Sequence, residues 1–166
     1  GRGGLAHSQQ LYSVIGVDAY RLPYIPWHLT TQEFFKEVHE HLLDDGVLAI
    51  NVGRTPEDRR IIEALVGTIQ SVFSTVYVVD VPNTFNTIVY ATKTPSEATN
   101  LVMNIFALEE QDASPVLLEI LRRTVAQLQP TPESEMVYTD DRAPIEFLTN
   151  SMALRFILGG EVDKLR

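Results

Sequence analysis

Asp18 closes an apolar run, Tyr12 to Val17, and so stands at the carboxyl end of a strand. That is where open α/β sheets bind their ligands. A strand-end aspartate also serves simply to cap the loop that follows. Asn51 is the only polar residue in a second apolar run, Val47 to Val52; buried there, its amide must find hydrogen-bond partners. A satisfied strand-end amide is the plain alternative to a ligand contact. His28 sits in a proline-containing loop after Asp18, where an imidazole titrates near neutral pH as a general base would, although a lone loop histidine is more often a surface residue. His39 and His41 are two residues apart on a helix, hence on different faces, and no metal site is expected from them. Tyr24 and Trp27 form either a wall or lid over a site or part of the core. Asp140 and Asp141 precede Pro144 and either line a pocket or, the better fit, cap the last helix. The sequence contains no cysteine, which removes disulfides, thiol nucleophiles and thiolate metal ligands from consideration.

The elements that position these residues alternate. Tyr12 to Val17 reads as a buried strand, and the loop after it carries Pro23 and Pro26. Thr30 to Glu33 predicts a helix start, with Thr30 as cap and Glu33 closing a capping box. Phe34, Phe35, Val38, Leu42 and Leu43 then share one helical face. Asp44-Asp45-Gly46 predicts a turn into the strand Val47 to Val52. Thr55-Pro56-Glu57-Asp58 predicts a second helix start, with Pro56 at its first position and acids in its first turn. Its apolar stripe runs from Ile61 to Phe73. Strands at Thr75 to Val81 and Asn86 to Thr92 are close enough to form an antiparallel hairpin. Helices are expected at 96–108 and 115–128, a loop at 129–132, and a last helix ending near Leu158. This is the pattern of an α/β fold, a doubly wound sheet ending in an antiparallel element and followed by C-terminal helices. The expected division is 1–94, the C-terminal part of a Rossmann-like domain, and 95–166, a helical extension packed on it.

The chain of 166 residues carries a net charge of −9, which argues against a nucleic-acid binder, since phosphate neutralisation needs clustered cations. The same charge would attract a small cationic substrate. No apolar run approaches the roughly 20 residues of a membrane-spanning helix, and the Gly-rich start resembles no signal peptide, so the default expectation is a cytoplasmic protein.

Val14-Ile15-Gly16-Val17-Asp18-Ala19-Tyr20, Ile25-Pro26-Trp27-His28-Leu29-Thr30-Thr31-Gln32-Glu33-Phe34-Phe35 and Gly46-Val47-Leu48-Ala49-Ile50-Asn51 resemble the polyamine aminopropyltransferases, the spermidine synthase family. The resemblance covers Leu11 to about Lys93. Thr139-Asp140-Asp141-Arg142-Ala143-Pro144 is similar to a bacterial subgroup, some members of which are fused to membrane segments. The resemblance implies a Rossmann-like, S-adenosylmethionine-methyltransferase-type sheet and a transferase that moves an aminopropyl group from decarboxylated S-adenosylmethionine to an amine. It implies Asp18 as the base that takes a proton from the attacking ammonium, with Tyr20, Arg21, Asn51 and Tyr138 on the substrate side. The family places an acid where Arg21 stands; a cation there repels a diamine and fits either an acidic or zwitterionic acceptor or a site no longer used for aminopropyl transfer. The alternatives are an S-adenosylmethionine-dependent methyltransferase and a non-catalytic binding or assembly module of the same fold.

The nucleotide in such sheets is held by a Gly-rich turn after a strand, followed by an acidic ribose ligand. Gly1-Arg2-Gly3-Gly4 follows no strand, so no residue here is assigned to a cofactor or a metal. The sequence therefore reads as the C-terminal part of the family's catalytic domain, with the donor site upstream and absent. An unpaired apolar edge at Tyr12 to Val17 would follow, a template for association with a second copy. The expected partners are a small amine or related acceptor and another copy of the chain, without nucleic acid or membrane contact from this segment.

Overall fold

A computed structural model describes residues 2–5, 8–20, 25–55 and 57–159. It holds one five-stranded sheet, in the order β1 (Tyr12–Tyr20), β2 (Leu42–Gly53), β4 (Asn86–Thr92), β3 (Thr75–Asp80), β5 (Leu128–Gln129). β1 and β2 are parallel, and a parallel pair needs a crossover; α2 (Gln32–Glu40) provides it. β3 and β4 form the expected antiparallel hairpin. β4 is inserted between β2 and β3, pairing with both. The fold is α/β, as the alternation of apolar runs predicts.

Period-two alternation sets the two faces of the sheet. Leu48, Ile50 and Val52 of β2 and Val89 and Ala91 of β4 point to one face and are fully buried. Phe34, Phe35 and Val38 of α2 and the stripe Ile61, Ile62, Leu65, Val66 and Ile69 of α3 (Arg60–Gln70) pack on them. Ile145 and Met152 of α6 (Ile145–Leu158) join the same core. β5 pairs with β3, so residues after 94 contribute to both sheet and core. α4 (Ala98–Glu110) and α5 (Pro115–Ala126) pack chiefly on each other and leave Met103, Phe106, Val116 and Ile120 exposed.

Several local expectations are corrected. β1 is not a buried strand but the edge expected where no strand precedes it: Val14 is 61% exposed and, among the described residues, only β2 pairs with it. The cap of α2 is Thr31, whose hydroxyl accepts the Phe34 N–H at 3.3 Å, while Thr30 instead donates to the Trp27 carbonyl at 2.7 Å. Glu33 closes no capping box; it accepts the Asp140 N–H at 3.0 Å. α2 stops at Glu40, so Leu42 is buried as the first residue of β2, and Leu43 is 40% exposed. Asp44-Asp45-Gly46 stays within β2 as an irregularity in its pairing with β1. α3 begins at Arg60, because Asp58 accepts the Arg60 N–H at 3.2 Å and pairs with its guanidinium. Pro56, expected to open that helix, lies outside the described residues.

Candidate active site

Parallel pairing brings the carboxyl ends of β1 and β2 side by side, with Val17 opposite Ile50 and Tyr20 opposite Val52. Asp18 and Asn51, 33 residues apart in sequence, thereby meet: the Asn51 Nδ2 donates to Asp18 Oδ1 at 2.9 Å. The other amide atom, Asn51 Oδ1, is buried and has no hydrogen-bond partner among the described residues. An unpaired buried carbonyl costs about 1–3 kcal/mol. Turning the amide over would not repair it, because a carbonyl would then face a carboxylate.

Asp18 also lines an open cavity of about 430 Å³. Leu5, Ile15, Val17, Leu29 and Phe34 form its apolar walls, and Arg2 and Tyr12 add polar groups. Arg2 comes from the short helix α1 (Arg2–Leu5), whose Gly-rich sequence signalled nothing beforehand. Its guanidinium is fully engaged, donating to Glu37, to Asp140 and to the His28 carbonyl. Its hydrogen bonds to Glu37 and Asp140 raise the Arg2 pKa further above its ordinary value. Asp18 is the carboxylate in the lining, and among the described residues no guanidinium pairs with it.

Asp140 is no helix cap. The residue before α6 is Pro144, with no side-chain cap. Asp140 instead accepts from Arg2 and, at 2.6 Å, from the hydroxyl of fully buried Thr31. The Arg2 bond, then the Thr31 bond, holds its carboxyl below the usual carboxylate range against the opposing effect of burial. This network fixes the Trp27–Leu29 turn and the start of α2 on the side of the cavity opposite β1. Its members lie up to 138 residues apart, so local sequence pattern carried no sign of it.

Tyr138 is placed in the core, 4% exposed, and not in the cavity lining. Its carbonyl accepts the Gln32 N–H and its N–H donates to Thr68 Oγ1 at 3.0 Å; burial pushes its phenol pKa up. Tyr20 is the last residue of β1. Arg21 and Tyr24 lie outside the described residues. Trp27 is 42% exposed and stacks edge-on against His28. Among the described residues, no group of three or more His, Asp or Glu side chains is placed to hold a metal ion. No helix among them is long and apolar enough to cross a membrane.

No family model matches the chain. It is 33% identical over 162 residues to a probable polyamine aminopropyl transferase from Bifidobacterium longum (strain NCC 2705), a match covering 89% of this chain and 36% of the relative. The chain thus spans about a third of that relative's length. In structure it is similar to a probable spermidine synthase from Corynebacterium glutamicum ATCC 13032, with a TM-score of 0.51 and 24% identity over 60% of this chain and 38% of that one. It is also similar to human Methyltransferase-like protein 13 in complex with SAH, with a TM-score of 0.53 and 19% identity over 81% of this chain and 58% of that one. The two structural likenesses establish a Rossmann-like, methyltransferase-type fold. The sequence match to the polyamine aminopropyl transferase is what ties the chain to the spermidine synthase family.

Proposed function

We propose that this chain carries the acceptor side of an aminopropyl-transfer site, in which Asp18 is the base and Asn51 the residue that positions it. The observation that carries the reading is the 2.9 Å bond from Asn51 to Asp18 beside an apolar-walled cavity. A carboxylate with one oxygen held by an amide keeps the other free to take a proton. The cavity walls suit the methylenes of an aliphatic amine, and the carboxylate suits its cationic nitrogen. In the reaction the acceptor ammonium gives a proton to Asp18 and its nitrogen forms a bond to the propyl carbon of decarboxylated S-adenosylmethionine. The carbon–sulfur bond breaks, and the sulfonium sulfur keeps the electron pair as a neutral thioether.

Tyr20 and Arg21 belong to the acceptor side in this reading, whereas Tyr138, buried in the core, does not line the cavity. Arg21, three residues after Asp18, disfavours a simple diamine and favours an acceptor that also bears a carboxylate. The donor nucleotide is held by chain outside this sequence. A second copy pairs with the exposed edge of β1, where Leu11 and Val14 are 51% and 61% exposed; Val14→Lys blunts such an edge, and sedimentation of the two proteins should show association only in the wild type.

The test of function is an aminopropyl-transfer assay on the complete polypeptide containing this sequence, with decarboxylated S-adenosylmethionine and a panel of diamines and amino acids bearing a second amine. Asp18→Asn should abolish transfer. Unchanged turnover removes Asp18 from its role.

A further inference from the structure

His41, the residue that ends α2, lies between two carbonyl oxygens: its Nδ1 is 2.7 Å from the Glu37 oxygen and its Nε2 is 2.9 Å from the Ser8 oxygen. A carbonyl oxygen only accepts, so both ring nitrogens must carry a proton for both bonds to exist. Neutral imidazole has one N–H and would turn a lone pair toward one of the two oxygens. The geometry points to a proton-dependent clasp: His41, as imidazolium, fastens the segment before β1 onto α2 and so keeps in place the wall of the cavity at Asp18.

The fastened segment is tied at several points. The Tyr12 N–H donates to the His41 carbonyl at 2.9 Å, and the Ser8 hydroxyl lies 3.3 Å from the Tyr12 phenol oxygen. The Ser8 N–H reaches back to the Leu5 carbonyl at 2.9 Å, coupling the clasp to α1. Arg2, Gly4, Leu5 and Tyr12 all line the cavity that Asp18 faces. Releasing Ser8 therefore loosens two of that cavity's lining residues, Leu5 and Tyr12.

The charges around His41 favour the cation. On α2, Glu37 and Glu40 are the neighbouring acids, with Glu37 shared with Arg2 of α1. Across the clasp the segment Ser8–Tyr12 offers Tyr12 alone as a titratable group. On β2, Asp44 is exposed and turned to Lys93. The end of a helix also attracts a cation. The Glu37 backbone bond, then the Ser8 backbone bond, raises the His41 pKa above its ordinary value against the opposing effect of burial.

The sign follows. A histidine raised by folding contributes its full stabilisation below the unfolded value of about 6.5 and loses it as pH rises through the folded value. Between those two values, the opening equilibrium of the segment should grow about tenfold per pH unit, as expected for one linked proton. The clasp is independent of the reaction assigned to Asp18 and is tested without it.

The experiment is an NMR titration of the chain that observes the His41 ring nitrogens together with the hydrogen-exchange protection factors of Tyr12 and Gly16. Below the midpoint both ring nitrogens should be protonated, the midpoint should exceed about 6.5, and protection should fall as the ring loses its proton. H41Q should remove the pH dependence with protection low throughout, and H41R, which keeps permanent donors, should hold protection high across the range. A ring that carries one proton below pH about 6, or protection factors that do not follow the titration, would overturn the clasp. The wild-type titration decides the question even if neither variant folds.

Discussion

Gly67 lies on the buried face of α3, and Gly67→Ala sets two known effects against each other. Alanine in place of glycine inside a helix gains about 1 kcal/mol of intrinsic propensity. A Cβ at this position, however, would stand 2.5 Å from the Met136 carbonyl oxygen, 2.8 Å from the Ser134 hydroxyl and 2.9 Å from the Ser134 carbonyl oxygen. Two of those three atoms are backbone and cannot swing away, so the segment 134–136 must move. Overpacking of this kind costs about 1–3 kcal/mol. Displacing the segment also weakens the buried bond from the Tyr138 N–H to Thr68 Oγ1, and a lost buried bond costs about 1–3 kcal/mol. Packing wins, with a net destabilisation of about 1–5 kcal/mol, or a fall in Tm of at least about 2 °C for a chain of this length. Ser134→Ala in the same background should restore little, because the Met136 carbonyl remains. Differential scanning calorimetry with a urea titration provides the measurement. A Tm equal to or above that of the wild type would refute the close approach of this segment to α3.

Other expectations use the same structure. Thr68→Val keeps the volume but strips the buried Tyr138 N–H of its acceptor; denaturant unfolding should show a loss of about 1–3 kcal/mol, which Thr68→Ser avoids. For Asp80, burial acts to raise the carboxyl pKa, yet hydrogen bonds from Arg59 and Thr87 and the charges of Arg59 and Arg54 hold it below the usual range. Its contribution is therefore present above the unfolded value of about 3.9 and lost as pH falls through the folded one; Asp80→Asn should flatten the acid limb of a stability–pH profile. Arg21→Asp in the complete polypeptide should improve the use of a simple diamine, read as kcat/KM, and no change would end the repulsion argument. Calorimetric titration of this chain with decarboxylated S-adenosylmethionine should give no heat of binding, and micromolar affinity would put a donor site within it.

The β3–β4 hairpin, the helical stripes and the pairing of Asp18 with a strand end were legible because each depends on local periodicity. The sheet order was not, since nothing within β4 says that it inserts between β2 and β3. Two adjacent threonines offered two possible caps, and the choice of Thr31 was made by Asp140, 109 residues away. Asp44-Asp45-Gly46 has the composition of a turn. It stays in the strand because Lys93 binds the Leu42 carbonyl at 2.8 Å and pairs with Asp44. Gly46 is needed there because a Cβ would meet the Leu43 carbonyl oxygen at 2.8 Å. In the site, Asp18 and Asn51 were each readable as strand-end polar residues, but their mutual bond depends on the parallel register of β1 and β2. Arg2 was passed over as part of a Gly-rich start, although it joins α1, α2 and the Thr139–Pro144 segment.

The central claim, that Asp18 and Asn51 form an amine-binding pair with one acceptor left open, is reached most directly by NMR on this chain. Aliphatic amines, with and without a carboxylate, are titrated while the side-chain amide signals of Asn51 and the backbone signal of Gly16 are followed. Binding should shift both, saturate, and vanish in Asp18→Asn while the rest of the spectrum stays that of the folded protein. Saturating shifts that persist in Asp18→Asn, or an Asn51 amide that no amine perturbs, would contradict the account.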